Sequence, residues 1–96
     1  MKNYPYLDTE VLKQETVHLT VLGGKVSMVR IYFNKKSYIT LSTEAFQEIQ
    51  KGTGRKKLKG LRAKVSFAFD GFPDKIEIGS VCKSGLRERE LKNLGK

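Results

Sequence analysis

Thr16-Val17-His18-Leu19-Thr20-Val21-Leu22-Gly23-Gly24, running on into Lys25-Val26-Ser27-Met28-Val29-Arg30-Ile31-Tyr32-Phe33, is the stretch that decides the fold. Its first half alternates strictly, with Val17, Leu19 and Val21 on one face and Thr16, His18 and Thr20 on the other, which is the pattern of a half-buried strand. Gly23-Gly24 supplies the positive φ of a tight hairpin turn, so Val26 to Phe33 reads as the return strand. There Val26 and Met28 share one face, Val29, Ile31 and Phe33 share the other, and Tyr32 falls out of phase. Apolar residues on both faces mean either a central strand covered on two sides or a bulge that changes the facing. Asn34 to Ser37 is a polar turn and Tyr38 to Leu41 a third strand, so residues 16–41 predict a three-stranded meander.

Beyond the meander the period changes. Ser42 can cap a helix, Glu44 opposes the helix dipole, and Ala45, Phe46 and Ile49 fall on one stripe. Lys51 suits the last turn and Gly52 the left-handed position just past it, which predicts a helix over residues 43–51. Ala63 to Phe69 alternates again, with Val65, Phe67 and Phe69 inward. Asp70 to Asp74 is a turn cluster, and Lys75 to Val81 is the partner strand with Ile76 and Ile78 inward. Val81 breaks that phase, and Gly79 permits a bulge there. Upstream, residues 1–15 read as an N-terminal arm or a short helix capped at Asp8, with Tyr4 and Tyr6 packing on the core or stacking on a base. Downstream, residues 83–96 read as a charged C-terminal helix or tail, with a short helix near Leu86 to Leu94. Five strands and one well-signalled helix predict an α+β, mainly β domain over residues 16–82. Its small antiparallel sheet is expected to curl, as far as a barrel, to hide its edges.

Composition bounds the function. Ninety-six residues make one domain by the length prior, and 39% hydrophobic with 30% charged residues suits a globular chain. No window approaches the roughly 20 apolar residues of a membrane span. The first residues lack the apolar core of a secretion signal. The one cysteine, Cys82, has no partner for a disulfide or for a metal site of usual spacing. Together these set the expectation of a cytoplasmic protein without metal or cofactor.

The charge is not spread evenly. The formal net charge is +9, and the run from Lys51 to Lys64 holds seven basic residues and no acid, leaving +2 for the rest of the chain. The seven are Lys51, Arg55, Lys56, Lys57, Lys59, Arg62 and Lys64. Gathered positive charge attracts polyanions over about 8 Å at physiological salt. A solvated loop that only keeps the chain soluble is the competing reading. Gly52 and Gly54, with Gly60, let a backbone approach closely, and amides at 52–54 could form a nest for one phosphate. Arg62 and Lys64 take the solvent phase of the next strand, which would carry the loop's charge across the sheet. Tyr32, Tyr38 and Phe72 are the aromatics open to base stacking.

Catalytic patterns are thin. His18 is the sole histidine and lies mid-strand, where a surface sheet residue competes with a base or switch. Cys82 reads as a buried structural thiol rather than a nucleophile. Asp70 and Asp74 bracket a turn that favours aspartate on conformational grounds. The glycine–lysine run follows a helix and leads to a strand, the reverse of a Walker loop, and contains no Gly-Lys-Ser/Thr. The chain reads as non-enzymatic.

A helix running into a glycine-containing basic loop (Gly52 to Gly60) and then a strand, in a small basic β domain, resembles the PUA-like class of RNA-binding barrels. The likeness spans about Thr16 to Val81 and is architectural, without a shared motif, and the meander before the helix departs from that class's usual start. It implies that the loop lies close to an RNA backbone. No zinc-finger, helix-turn-helix or RRM pattern is present, and the one well-signalled helix, which ends in Gln50-Lys51 and is acidic at Glu44 and Glu48, is no recognition helix for a major groove, which points to RNA rather than duplex DNA. The resulting expectation is a regulatory RNA-binding domain that uses residues 51–64 on phosphates. The alternative is a small interaction module whose basic loop docks an acidic protein partner.

Overall fold

The computed structural model describes residues 6–21 and 23–93. Seven strands and two helices follow in order: β1 (Tyr6–Glu10), β2 (Lys13–Val21), β3 (Gly24–Tyr32), β4 (Tyr38–Ser42), α1 (Thr43–Thr53), β5 (Arg62–Phe67), β6 (Pro73–Ile78), β7 (Val81–Ser84) and α2 (Glu88–Asn93). They form two antiparallel sheets, β1-β5-β6-β7 and β2-β3-β4. The mainly β, α+β character expected from the alternation is present. A closed barrel is not.

The meander forms as read. Val21 pairs with Gly24, and β2, β3 and β4 run in unbroken register from Lys13↔Tyr32↔Tyr38 to Val17↔Met28↔Ser42. With no bulge in that register, β3 is a central strand, covered on both faces from Met28 onward while Gly24 to Ser27 stay exposed. Val29 and Ile31, with Ile39 and Leu41 of β4, face the main core together with Phe33, Phe46, Ile49, Leu58, Ala63, Val65, Ile76 and Ile78. The opposite face buries Leu19 and Met28, and α2 lies against β2.

Two additional strands replace weaker readings. Within residues 1–15, expected to be an arm or short helix, Tyr6–Glu10 form β1, which pairs with β5 from Tyr6↔Ser66 to Glu10↔Arg62. Val11 just after it is buried, and β2 already begins at Lys13; Tyr4 lies outside the described residues. The phase break at Val81 is a hairpin rather than a bulge. Gly79 takes a left-handed φ of 64°, and β7 returns along β6 with Ile78↔Val81 and Glu77↔Cys82 paired. A Gly-Ser pair between apolar runs is a two-residue turn signal, and it makes two short strands of what looked like one.

The sheets meet at two corners. At the first, where β1 passes into β2, Val11 N–H donates to Leu61 O (2.9 Å) and Val11 O accepts from Gly60 N–H (2.8 Å) beside β5, while Leu12 N–H donates to Tyr32 O of β3 (2.8 Å). After β7 the chain crosses over, with Leu86 N–H donating to Thr40 O of β4 (2.7 Å). Residues 83–93 are thus part of the fold, and Leu94, to which the C-terminal helix was expected to run, lies outside the described residues. Glu88 of α2 accepts two bonds from Arg30 of β3, at 2.7 and 2.9 Å, and one from Thr40 Oγ1 at 2.5 Å.

Three local expectations change. α1 runs through Gly52 to Thr53, and Gly54 is the residue in the left-handed region, φ 70°. Gly52 is inside the helix because a Cβ there would collide with Cγ2 of Val81 on β7. Phe69 does not face inward. The β5–β6 register shifts at Ser66/Phe67, β5 ends at Phe67, and Phe69 stands fully exposed in the turn. Cys82 is exposed on the edge strand β7, not buried.

Candidate nucleic-acid interface

The basic loop starts where α1 stops. Ser42 Oγ accepts from Ala45 N–H at 3.1 Å to begin the helix, and Gly54 ends it with its N–H on Gln50 O. Arg55 N–H also reaches Gln50 O at 3.2 Å. These amides are spent on the helix end, so the 52–54 backbone does not form the anion nest expected there. A helix C-terminus also carries the negative end of the macrodipole, which repels an anion and favours cations beside it. That accounts for Lys51 and helps place Arg55. The effect fades within the last turn, so Lys57 and Lys59 need another reason.

The loop is not a loose basic tether. Leu58, the single apolar residue between Gly54 and Gly60, is completely buried in the core. Its N–H donates to Gln14 Oε1 at 2.8 Å, and Lys56 O accepts from Gln50 Nε2 at 2.6 Å and from Gln14 Nε2 at 3.3 Å. Leu61 N–H closes a turn onto Leu58 O at 3.0 Å. One lone leucine in a cationic run was the signal for this anchor, and charge counting passes over it. With Leu58 pulled inward, Arg55, Lys56, Lys57 and Lys59 are all exposed, as is Lys51. Among the described residues, none of these five enters an ion pair.

Arg62 and Lys64 are on the solvent side of β5, as the alternation requires, but their surroundings differ from the expectation. Register sets Glu10 beside Arg62, and Asp8 and Glu77 on either side of Lys64. Arg62 pairs with Asp8 at 2.9 Å. With Lys75, three cations and three carboxylates alternate on this face, so it does not extend the loop's positive field. Lys64 Nζ also sits 5.3 Å over the Tyr6 ring.

Tyr32 and Tyr38 are not brought to the loop. Register places them with Lys13 on one face of the β2-β3-β4 sheet, whereas Gln14, which holds the loop, takes the other. Their rings pack at 5.0 Å, with Lys13 Nζ 4.5 Å over Tyr32 and Arg30 4.6 Å over Tyr38. Tyr32 OH donates to Glu15 at 3.1 Å. The Glu88 carboxylate holds Arg30 charged, raising its pKa above the ordinary value. These tyrosines belong to the seam that fastens α2.

The remaining sequence candidates make local contacts. His18 is exposed beside Ser27 Oγ, 2.9 Å from its Nδ1. Asp70 accepts from Phe72 N–H at 3.1 Å and takes a two-pronged contact from Arg87, at 2.8 and 3.2 Å. Arg87 first, and then the Phe72 amide, hold its carboxyl below the usual range. The Arg87 guanidinium covers Phe72 at 4.5 Å. Among the described residues no cluster of three or more His, Cys, Asp or Glu could hold a metal, and no helix is long and apolar enough to cross a membrane.

No protein-family model, curated protein or solved structure matches the chain. Function therefore rests on the site's own chemistry.

Proposed function

We propose that the chain is a non-enzymatic RNA-binding domain with a regulatory role, and that the α1–β5 loop is its phosphate contact. One observation carries the reading. Four exposed cations of the loop, Arg55, Lys56, Lys57 and Lys59, and Lys51 in the last turn of α1 have no acidic partner among the described residues, and the loop backbone is anchored by Leu58. An anchored loop has little freedom left to lose on binding, and that favours affinity. RNA is preferred to duplex DNA because neither helix suits a major groove. The exposed side of α1 carries Glu44 and Glu48, and α2 is six residues long with acids in its first turn.

The test replaces Arg55, Lys56, Lys57 and Lys59 with glutamine and keeps Leu58. Fluorescence anisotropy against a labelled single-stranded RNA is followed across several salt concentrations. The slope of log K against log salt should flatten by about 0.7 per lost contact, close to 3 in all. The loss should be similar for unrelated sequences, because phosphate contacts do not read bases. Wild-type protein that ignores RNA at low salt but binds an acidic protein would overturn the proposal in favour of a protein-docking module.

A further inference from the structure

Among the described residues, none packs over the outer face of the β1-β5-β6-β7 sheet. Tyr6, Asp8 and Glu10 of β1, Arg62, Lys64 and Ser66 of β5, Lys75 and Glu77 of β6, and Cys82 of β7 point to it, and only Ser66 is half-buried. Two shallow hollows cross this face. One, of about 190 Å³, is lined by Tyr6, Lys64, Ser66, Lys75, Glu77 and Cys82. The other, of about 290 Å³, is lined by Asp8, Arg62, Ala63, Lys64, Glu77 and Gly79. Lys64 and Glu77 belong to both, so the two form one groove.

The groove leads to the basic loop. Thr53, at the end of α1, lies against Gly79, with its Cγ2 3.6 Å from where a Gly79 Cβ would be. Gly60 approaches Glu10 in the same way, and Arg62 begins β5 two residues after Gly60. The second hollow therefore opens beside the loop, and the Tyr6 hollow lies farther along β5. Arg62 to Ser66 spans about 13 Å at the usual strand rise.

Charge determines what this groove can take. A run of phosphates would meet Asp8, Glu10 and Glu77 as often as it met Arg62, Lys64 and Lys75. A nucleobase carries no charge, has a flat apolar face, and offers donors and acceptors along its edge. Tyr6 is 57% exposed, and its ring can take a stacked base if the Lys64 side chain, whose Nζ sits 5.3 Å over it, swings from the ring to the base edge. A carboxylate such as Glu77 accepts from an exocyclic amino group, and lysines donate to base carbonyls and ring nitrogens. We propose that this face is a base-reading platform for single-stranded RNA, with Tyr6 as the stacking residue and Lys64, Lys75 and Glu77 reading base edges, while the phosphates stay on the loop. The assignment rests on the RNA reading of the loop. It adds the class of target, an unpaired strand, because a duplex keeps its base faces stacked and out of reach.

Two measurements test it on the intact chain. The first compares wild type, Tyr6→Phe and Tyr6→Ala on a fluorescein-labelled RNA decamer, single-stranded or annealed to its complement. Tyr6→Ala should weaken single-strand binding roughly 5- to 150-fold, the worth of one stacked base, with the salt slope unchanged. Tyr6→Phe should bind as wild type does, and duplex affinity should not move. The second uses Cys82, the chain's sole cysteine and a wall of the Tyr6 hollow. Saturating single strand should slow its alkylation by iodoacetamide several-fold, and duplex should not. Equal losses on single strand and duplex, or Cys82 left unprotected at saturation, overturn the platform. If wild type binds RNA and the loop variant flattens the salt slope while Tyr6→Ala binds normally, the platform alone falls. If wild type binds no RNA, both readings fall.

Discussion

Replacing Glu88 with alanine should be the most damaging loss of a single ion pair in this domain. Glu88 accepts two charge-assisted bonds from Arg30 and one from Thr40, so one carboxylate ties α2 to β3 and β4. The side chains of Arg30 and Glu88 are 23% and 11% exposed, which places the pair largely out of water. Removing one member of a fully buried pair costs about 3–5 kcal/mol, because the other charge is stranded. Arg30 keeps some solvent, the Tyr38 ring and Glu15 at 3.8 Å, and these soften the loss. We expect about 2–3 kcal/mol, seen as a fall in melting temperature of roughly 10–20 °C for a domain of this size. The control is Asp8→Ala, which removes the Arg62 pair. There the side chains are 69% and 56% exposed, and the cost should stay below about 1 kcal/mol. Urea unfolding followed by circular dichroism gives both numbers, provided the m-value is unchanged. Equal costs for the two substitutions would show that Arg30 is as well solvated as Arg62 and that α2 is not fastened through Glu88.

Gly54→Ala should cost about 1–2 kcal/mol for placing a Cβ in the left-handed region, measured by urea unfolding. Gly52→Ala should cost about 1–3 kcal/mol for a different reason, crowding against Val81, and Val81→Ala in the same chain should recover part of it. Leu58→Ala should cost about 2–5 kcal/mol, whereas Lys57→Gln beside it should stay within about 0.5 kcal/mol. Matching effects would mean that the loop is not anchored. The Asp70 carboxyl should titrate below the ordinary carboxylate range by NMR, and Arg87→Ala should return it towards that range. Because the folded value is the depressed one, this contact's stabilisation is present above the unfolded pKa and is lost as pH falls through the folded value.

The meander, the capped start of α1 and the inward phase of Val65, Ile76 and Ile78 were legible in the sequence by itself. Each depends on residues two to four positions apart, and local spacing sets which face a side chain takes. The concentration of charge in residues 51–64 was legible for the same reason. What no local pattern reveals is which residues a face will meet. Gly52 looked like a helix stop because its reason for being glycine, Val81, lies on a strand twenty-nine residues away. Cys82 looked buried until the Gly79-Ser80 turn put it on an edge strand. Arg62 and Lys64 looked like an extension of the basic loop. Only the pairing of β1 and β6 around β5 sets Asp8, Glu10 and Glu77 among them and turns a positive track into a charge-balanced one. Alternation decides the side of the sheet on which a charge lies. Its electrostatic neighbours come from the adjacent strands, and strand order is a property of the tertiary fold.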